Sequence, residues 1–371
     1  MGSGNRIVMF YPYVSERAIQ YVVETLRSRW IGQGPKVAEF EEKFKTTLRV
    51  PYAVAVNSGA SAIRLALAIA GVGPGDEVIT TAQTCTATNH PILEQYAKPV
   101  FADIQYLTGN VNPGDIEHRV TKRTKAIICV HWGGYPCDLD EIHEIAARHS
   151  LAVIEDASDA IGADYKGKPI GAVSRFTCFS FQATQQVTTG EGGMLCLLNE
   201  EDYEAALRRR WFGIDRKQRK PNLIGYYDFD VWETGYSYHM TNIAAVLGIV
   251  HLEDLGEIIR QRREIVQKYR ESLQRVQGVR LFENTSDRTN GNQLFTIHAE
   301  RRGDFCRMMT SKGVEVSVVH IRNDQYTIFG GLRSDLPTLD EFSKTHISLP
   351  LHSKLTKEDI DYIVRCIEEG W

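Results

Sequence analysis

The chain reads as an α/β protein, with a mostly parallel sheet in a large first domain and a smaller α/β domain after it. Three observations carry that reading. Short Val- and Ile-rich runs alternate with helical stretches from Tyr52 to about residue 212, the pattern of buried parallel strands joined by crossover helices. A length of 371 residues exceeds one ordinary core and suits two domains of unequal size. The alternation then breaks for some 25 residues and resumes as a shorter set of strands and helices, placing the division at 1–252 and 253–371.

The elements follow in order. Residues 14–28 and 36–48 have the apolar spacing of amphipathic helices, separated by the loop WIGQGP. YAVAV (52–56) is a strand, and the helix after it runs through IRLALAIAG until GVGPGDEV stops it with Gly and Pro. VIT, PVFADI, KAIICVH and LAVIED are strands, with helices over 86–97 and 139–149. FTCFSF and GGMLCLL are two more strands, followed by a helix over about 200–212. Residues 215–240 are polar, aromatic and aperiodic, the mark of a long ordered loop with a functional or interface role. A helix over 241–255 leads into a charged helix over 256–276. Two strands (VRLFE, QLFTIHAE) and two helices (RRGDFCRMMTSKG, TKEDIDYIVRCIEEG) complete the second domain.

Composition narrows the class. Hydrophobic residues at 43% and charged residues at 24% are globular proportions. A net charge of −4 gives no electrostatic ground for nucleic acid or an anionic membrane as partner. No apolar run approaches the roughly 20 residues of a membrane span, and no charged-then-apolar leader marks secretion. Met1–Gly4 reads as an appended remnant rather than a myristoylation signal. Seven cysteines without a CxxC pair, several inside apolar runs, read as reduced core residues of a cytoplasmic protein. No metal site is expected.

Four segments at strand ends or in loops carry candidate chemistry, because open α/β sheets bind ligands at the carboxyl ends of their strands. NSGAS (57–61) joins a strand to a helix whose first free amides attract phosphate, although alone it also fits an ordinary capped helix. In VIEDASDA (153–160), Asp156 follows an apolar strand, where a partly buried carboxylate needs a partner; an N-cap role fits equally. SFQATQQVTTGEGGM (180–194) offers the Ser180 hydroxyl and a glycine-rich turn that admits close backbone approach, or else a simple hairpin loop. YSYH (236–239) is an aromatic segment that either packs internally or reaches across an interface.

Together these segments resemble the DegT/DnrJ/EryC1/StrS aminotransferases, which act on nucleotide-linked keto-sugars. The likeness runs nearly end to end, through SRWIGQGPKVAEFEEKF (28–44), SGAS with GVGPGDEVIT, KPVFADI with TGNVNP, TKRTKAIICVHWGGYPCDLDEI, VIEDASDAIGADYKGKPIG, FSF and TTGEGG, GYSYHMTNIAAVLG and LPLHSKLTKEDIDYI. The resemblance implies the type I aminotransferase fold, with a seven-stranded, mostly parallel sheet. It also implies a homodimer with a shared active site, pyridoxal or pyridoxamine 5′-phosphate as cofactor, and glutamate and a nucleotide sugar as substrates.

By the same resemblance, Asp156 pairs with the cofactor's pyridinium nitrogen. Ser180 and the amides near Gly59, Ala60 and Ser61 hold its phosphate, and Ser237 approaches from the neighbouring subunit. Substrate contacts fall to Trp30 and Gly32 in the WIGQG loop, to the HWGGYP loop, and to His320 and Arg322. Three positions near the ring depart from the family pattern: Cys85 stands where an aromatic is usual, Asp159 where Gln or His is common, and Ser237 where Asn is frequent.

The largest departure is Gln185. The family pattern S-F-x-x-x-K places the cofactor-tethering lysine at this register, and here it reads Ser180, Phe181, Gln182, Ala183, Thr184, Gln185. An amide nitrogen has no basic lone pair, so it can neither tether the cofactor nor shuttle a proton. Lys166 and Lys168 sit in a polar turn and do not substitute; His239 and then His320 are the candidate replacement bases. Three readings follow: an aminotransferase stalled by a lysine-to-glutamine replacement, a lysine-less sugar dehydratase using the aminated cofactor, or a non-catalytic protein that binds cofactor or nucleotide sugar. A cyclitol ketone of aminoglycoside synthesis is an alternative substrate.

Overall fold

The computed structural model describes residues 6–371, so Met1–Gly4 lies outside the described residues. Seven strands form the main sheet: β1 (Tyr52–Val56), β2 (Glu77–Thr81), β3 (Lys98–Ala102), β4 (Thr124–Val130), β5 (Ala152–Asp156), β6 (Phe176–Ser180) and β7 (Gly193–Leu197). Their spatial order is β1-β7-β6-β5-β4-β2-β3, with β7 antiparallel to both neighbours and the other pairings parallel. The expected seven-stranded, mostly parallel sheet is the one found.

Successive strand residues point to opposite faces, and both faces are buried. Ala53, Ala55, Ile127, Cys129, Val153, Phe179, Met194 and Cys196 face one layer of helices. Val54, Val56, Ala126, Ile128, Ile154, Cys178, Leu195 and Leu197 face the other. After α1 (Glu16–Ser28) comes α2 (Pro35–Leu48), on which the first face packs through Phe40 and Phe44, whose rings meet Phe179 and Phe181 edge-on at 5.3–5.7 Å. The second packs on α3 (Gly59–Ile69), which buries Ile63, Leu65 and Leu67.

Four more helices follow: α4 (Thr86–Glu94), α5 (Pro113–Arg119), α6 (Leu139–His149) and α7 (Glu200–Arg210). Residues 211–241 form no helix; they hold a two-residue hairpin pairing Lys220–Pro221 with Tyr227–Asp228, and isolated backbone bridges such as Ile214 to Val231.

Two features differ from the sequence reading. The helices expected over 241–255 and 256–276 are one helix, α8 (Asn242–Leu273). Its composition turns charged near residue 253 because its packing partners change, not because the helix ends. Ala245, Ile249, Leu252 and Leu255 belong to the main-sheet core, and Ile265, Tyr269 and Leu273 to the second core. The expected 252/253 division falls inside this helix.

The second sheet also has a third strand, in the order β8 (Val279–Leu281), β9 (Phe295–Ala299), β10 (His346–Leu349). Helix α9 (Arg302–Ser311), helix α10 (Pro337–Thr345), which the sequence reading lacked, and α11 (Lys357–Glu368) complete the chain. Among the described residues, no helix is long and apolar enough to cross a membrane.

Candidate active site

The carboxyl ends of β1, β2, β4, β5 and β6 share one edge of the main sheet, and a cavity of about 450 Å³ opens there, a size suited to a small organic ligand. Gly59, Ala60, Cys85, Asp156, Asp159, Ser180, Gln185 and His320 all line it. Eight candidate residues named from distant parts of the chain thus meet in one place.

Each is positioned by its element. Asp156 is the last residue of β5 and is 4% exposed. Its Oδ2 accepts the Thr88 hydroxyl at 2.6 Å, and its Oδ1 accepts the Ser158 amide at 3.1 Å and hydroxyl at 2.6 Å. Thr88 in turn shares a 2.7 Å hydrogen bond with Thr84. A carboxylate has about four lone-pair sites, so three neutral donors fix its orientation and leave room for one more.

The first turn of α3 forms the opposite wall. Ser58 caps the helix, accepting the Ser61 amide at 3.1 Å, while the Ser61 hydroxyl donates to Asn57 at 2.7 Å. Ser61 therefore serves the cap, and its neighbours Gly59 and Ala60 face the cavity. A Cβ on Gly59 would come 2.9 Å from the Ser180 Cβ, closer than carbon atoms pack. Glycine lets the helix start approach β6, so that helix amides and the Ser180 hydroxyl converge.

Gln185 sits in the loop after β6, its amide donating to the Gln182 carbonyl at 2.9 Å. Its Nε2 donates to Asp159 Oδ1 at 3.2 Å. Burial pushes the Asp159 carboxyl up to about 6; the Gln185 hydrogen bond opposes the shift and the Asp156 charge adds to it. Burial also raises the Cys85 thiol above its ordinary value and lowers His320 below its own, which keeps that ring neutral near pH 7. His131, at the end of β4, accepts the Cys137 amide on Nδ1 at 3.0 Å, so its ring proton lies on Nε2, 2.8 Å from Glu155.

The other candidates lie elsewhere on the chain. Ser237 forms a backbone bridge to Trp211. His239 packs against Trp211 with ring centroids 4.0 Å apart and planes tilted by 41°, bridges Val56 through its backbone, and is held below its ordinary pKa by burial and by Arg210 and Arg216. Trp30 is 58% exposed with its ring nitrogen on the Gln33 carbonyl, and the Gly32 carbonyl accepts the Asn242 amide. Arg322 does not line the cavity; its guanidinium is closed on Asp324 and Asp340. Lys166 pairs with Asp140 at the surface, and no lysine or arginine lines the cavity among the described residues.

Thr84, Thr88, Ser158 and Gln293 also line the cavity without having been singled out. A serine two residues after Asp156 was the available signal.

Comparison with known proteins agrees with this architecture. The pattern of the DegT/DnrJ/EryC1/StrS aminotransferase family matches residues 12–368. The chain belongs to that family. Among its relatives, the GDP-perosamine synthase of Caulobacter vibrioides is 34% identical over 375 residues, covering 98% of both chains. The solved structure of AtS13 from Actinomadura melliaura is 36% identical, with a TM-score of 0.95 and complete coverage of both chains. Spr1654 of Streptococcus pneumoniae, described as a sugar aminotransferase in its PLP form, is 29% identical with a TM-score of 0.92 over 98% of each chain. The likeness thus extends through both sheets.

Proposed function

We propose that this cavity binds pyridoxal or pyridoxamine 5′-phosphate, and that the chain is an aminotransferase scaffold arrested at position 185. The parent reaction moves an amino group from glutamate to a keto group of a nucleotide-linked deoxysugar, in a cytoplasmic homodimer with a shared active site. The single observation behind the cofactor is the convergence of Asp156 with the Gly59–Ser180 cradle in one cavity.

The residues present fit the group. Glycine at 59 leaves room beside Ser180 where a Cβ would intrude, and helix-start amides suit a phosphate. Asp156 retains acceptor capacity for a protonated ring nitrogen. When bound, the cofactor supplies an electron sink for breaking bonds at the amine-bearing carbon.

The chain's own residues hold and orient it. Asp156 would pair with the protonated ring nitrogen, and Thr88 and Ser158 hold the Asp156 carboxylate in place. Gln185 has no amine to offer, and its amide is engaged with Asp159. The proton-shuttling role of a lysine is therefore unfilled on this chain, and turnover is expected to be very slow or nil. One observation favours the lysine-less dehydratase as a second reading: His320, neutral through burial, lines the same cavity.

Gln185→Lys tests the proposal. With cofactor, the variant should acquire the near-visible absorption band of a covalently held cofactor, and glutamate should bleach it. A band that glutamate leaves unchanged favours the second reading. Failure of both proteins to bind the cofactor would refute the roles given to Asp156 and Ser180.

A further inference from the structure

One wall of the cavity is rich in acceptors, and no lysine or arginine lines it among the described residues. Asp159 presents its carboxylate there, hydrogen-bonded by the Gln185 side-chain amide at 3.2 Å. Gln293 lies beside the same loop. Its Nε2 donates to the Thr184 carbonyl at 2.9 Å, which fixes the orientation of the amide and leaves Oε1 buried without a partner. A buried acceptor without a donor costs free energy, so Gln293 is set up for a donor that none of the described residues provides.

The charges point the same way. Asp156, Asp159 and Glu191 line the cavity, and no lysine or arginine does among the described residues. The guanidinium of Arg262 is nearby, but it donates to the carbonyls of Asn292 and Gln293 at 3.1 and 3.2 Å and stays outside the lining. Carboxylates facing one cavity with no lysine or arginine among its described lining repel each other. A ligand bearing a positive charge and several N–H donors relieves both the repulsion and the orphaned amide. A primary ammonium does this with three donors, whereas a hydroxyl brings one donor and no charge.

We infer that Asp159, Gln185 and Gln293 form a receptor for a primary ammonium group, which makes the cavity select an amine-bearing pyridoxyl phosphate over its neutral counterpart. The inference rests on the cofactor reading above. It assigns these residues a binding role that replaces a covalent link with a charge-assisted one.

The probes are pyridoxamine 5′-phosphate and pyridoxine 5′-phosphate, which share ring and phosphate and differ in an amine against a hydroxyl. Calorimetric titration of the full chain should give pyridoxamine phosphate a Kd about tenfold lower, the step from a neutral to a charged hydrogen bond. Asp159→Asn, isosteric and uncharged, should bring the two affinities to within about threefold of each other, chiefly by weakening the amine. Gln185→Lys should do the same, because its own ammonium would occupy Asp159.

Equal affinities in the unaltered chain, or a preference untouched in a folded Asp159→Asn and in Gln185→Lys, would overturn the inference and leave the cofactor reading standing. Binding of neither phosphate would overturn both.

Discussion

Replacing Asp156 with Asn tests whether its charge, rather than its shape, holds the cofactor. Asn keeps the volume and one oxygen. That oxygen still accepts both donors of Ser158, which now reach Oδ1 at 3.1 and 2.6 Å. The new amide then faces the Thr88 hydroxyl, which donates to the carboxylate at 2.6 Å in the unaltered chain. Thr88 accommodates it by rotating: it accepts from the Asn amide and donates to Thr84, 2.7 Å away. No buried polar group is left unpaired, so the change in folding stability should stay within about 1 kcal/mol.

The ligand has no such alternative. A protonated ring nitrogen loses a charge-assisted hydrogen bond worth about 1.5–3 kcal/mol, and each 1.4 kcal/mol is a factor of ten in Kd. The affinity for pyridoxamine phosphate should therefore fall by about ten- to a hundredfold, while the Tm moves little. Titration and thermal unfolding on the same preparation read both quantities. An unchanged Kd in a folded Asp156→Asn protein would refute the pairing. A large loss of Tm would instead mean that the carboxylate is structural.

Two further outcomes follow from the same geometry. Gly59→Ala sets a Cβ 2.9 Å from that of Ser180, so it should destabilise by about 1 kcal/mol; it should also weaken pyridoxamine phosphate more than dephosphorylated pyridoxamine, and an equal loss for both would remove the cradle from the phosphate. The Asp159 carboxyl is raised to about 6 from 3.8 mainly by burial, so folding binds its proton more tightly than the unfolded chain does. Its contribution is therefore neutral below about pH 4 and becomes a cost as pH rises through 6. Denaturant unfolding should show Asp159→Asn gaining on the unaltered chain across that window, by about 1–2 kcal/mol at neutral pH because the carboxyl partly faces the open cavity; a difference independent of pH would contradict the shift.

Much of this was legible in the sequence where local pattern and burial agree. The strand YAVAV and the helix over 139–149 have the same limits in the structure, because each is bounded by residues that end it. Asp156, Ser180 and Gly59 could be placed together because parallel strands deliver their carboxyl ends to one edge. The continuity of α8 was hidden, since a helix that changes cores midway changes composition without stopping. Strand β10 was hidden too. Its four buried residues, His346–Leu349, form a strand through pairing with β9, and four residues carry little periodicity of their own. Trp30, Ser237, His239 and Arg322 show the limit for the site. Their chemistry suits a ligand, but long-range partners such as Trp211 and Asp340 decide where each side chain lies.

The central claim is that the cofactor cavity is intact while position 185 withholds the amine that turnover needs. Its most direct measurement is transfer of isotopically labelled nitrogen from glutamate to a keto nucleotide sugar, by the chain as it stands and by Gln185→Lys. The account expects little or no labelled aminosugar from the first and catalytic turnover from the second. Transfer at an ordinary enzymatic rate by the chain carrying Gln185 would contradict it.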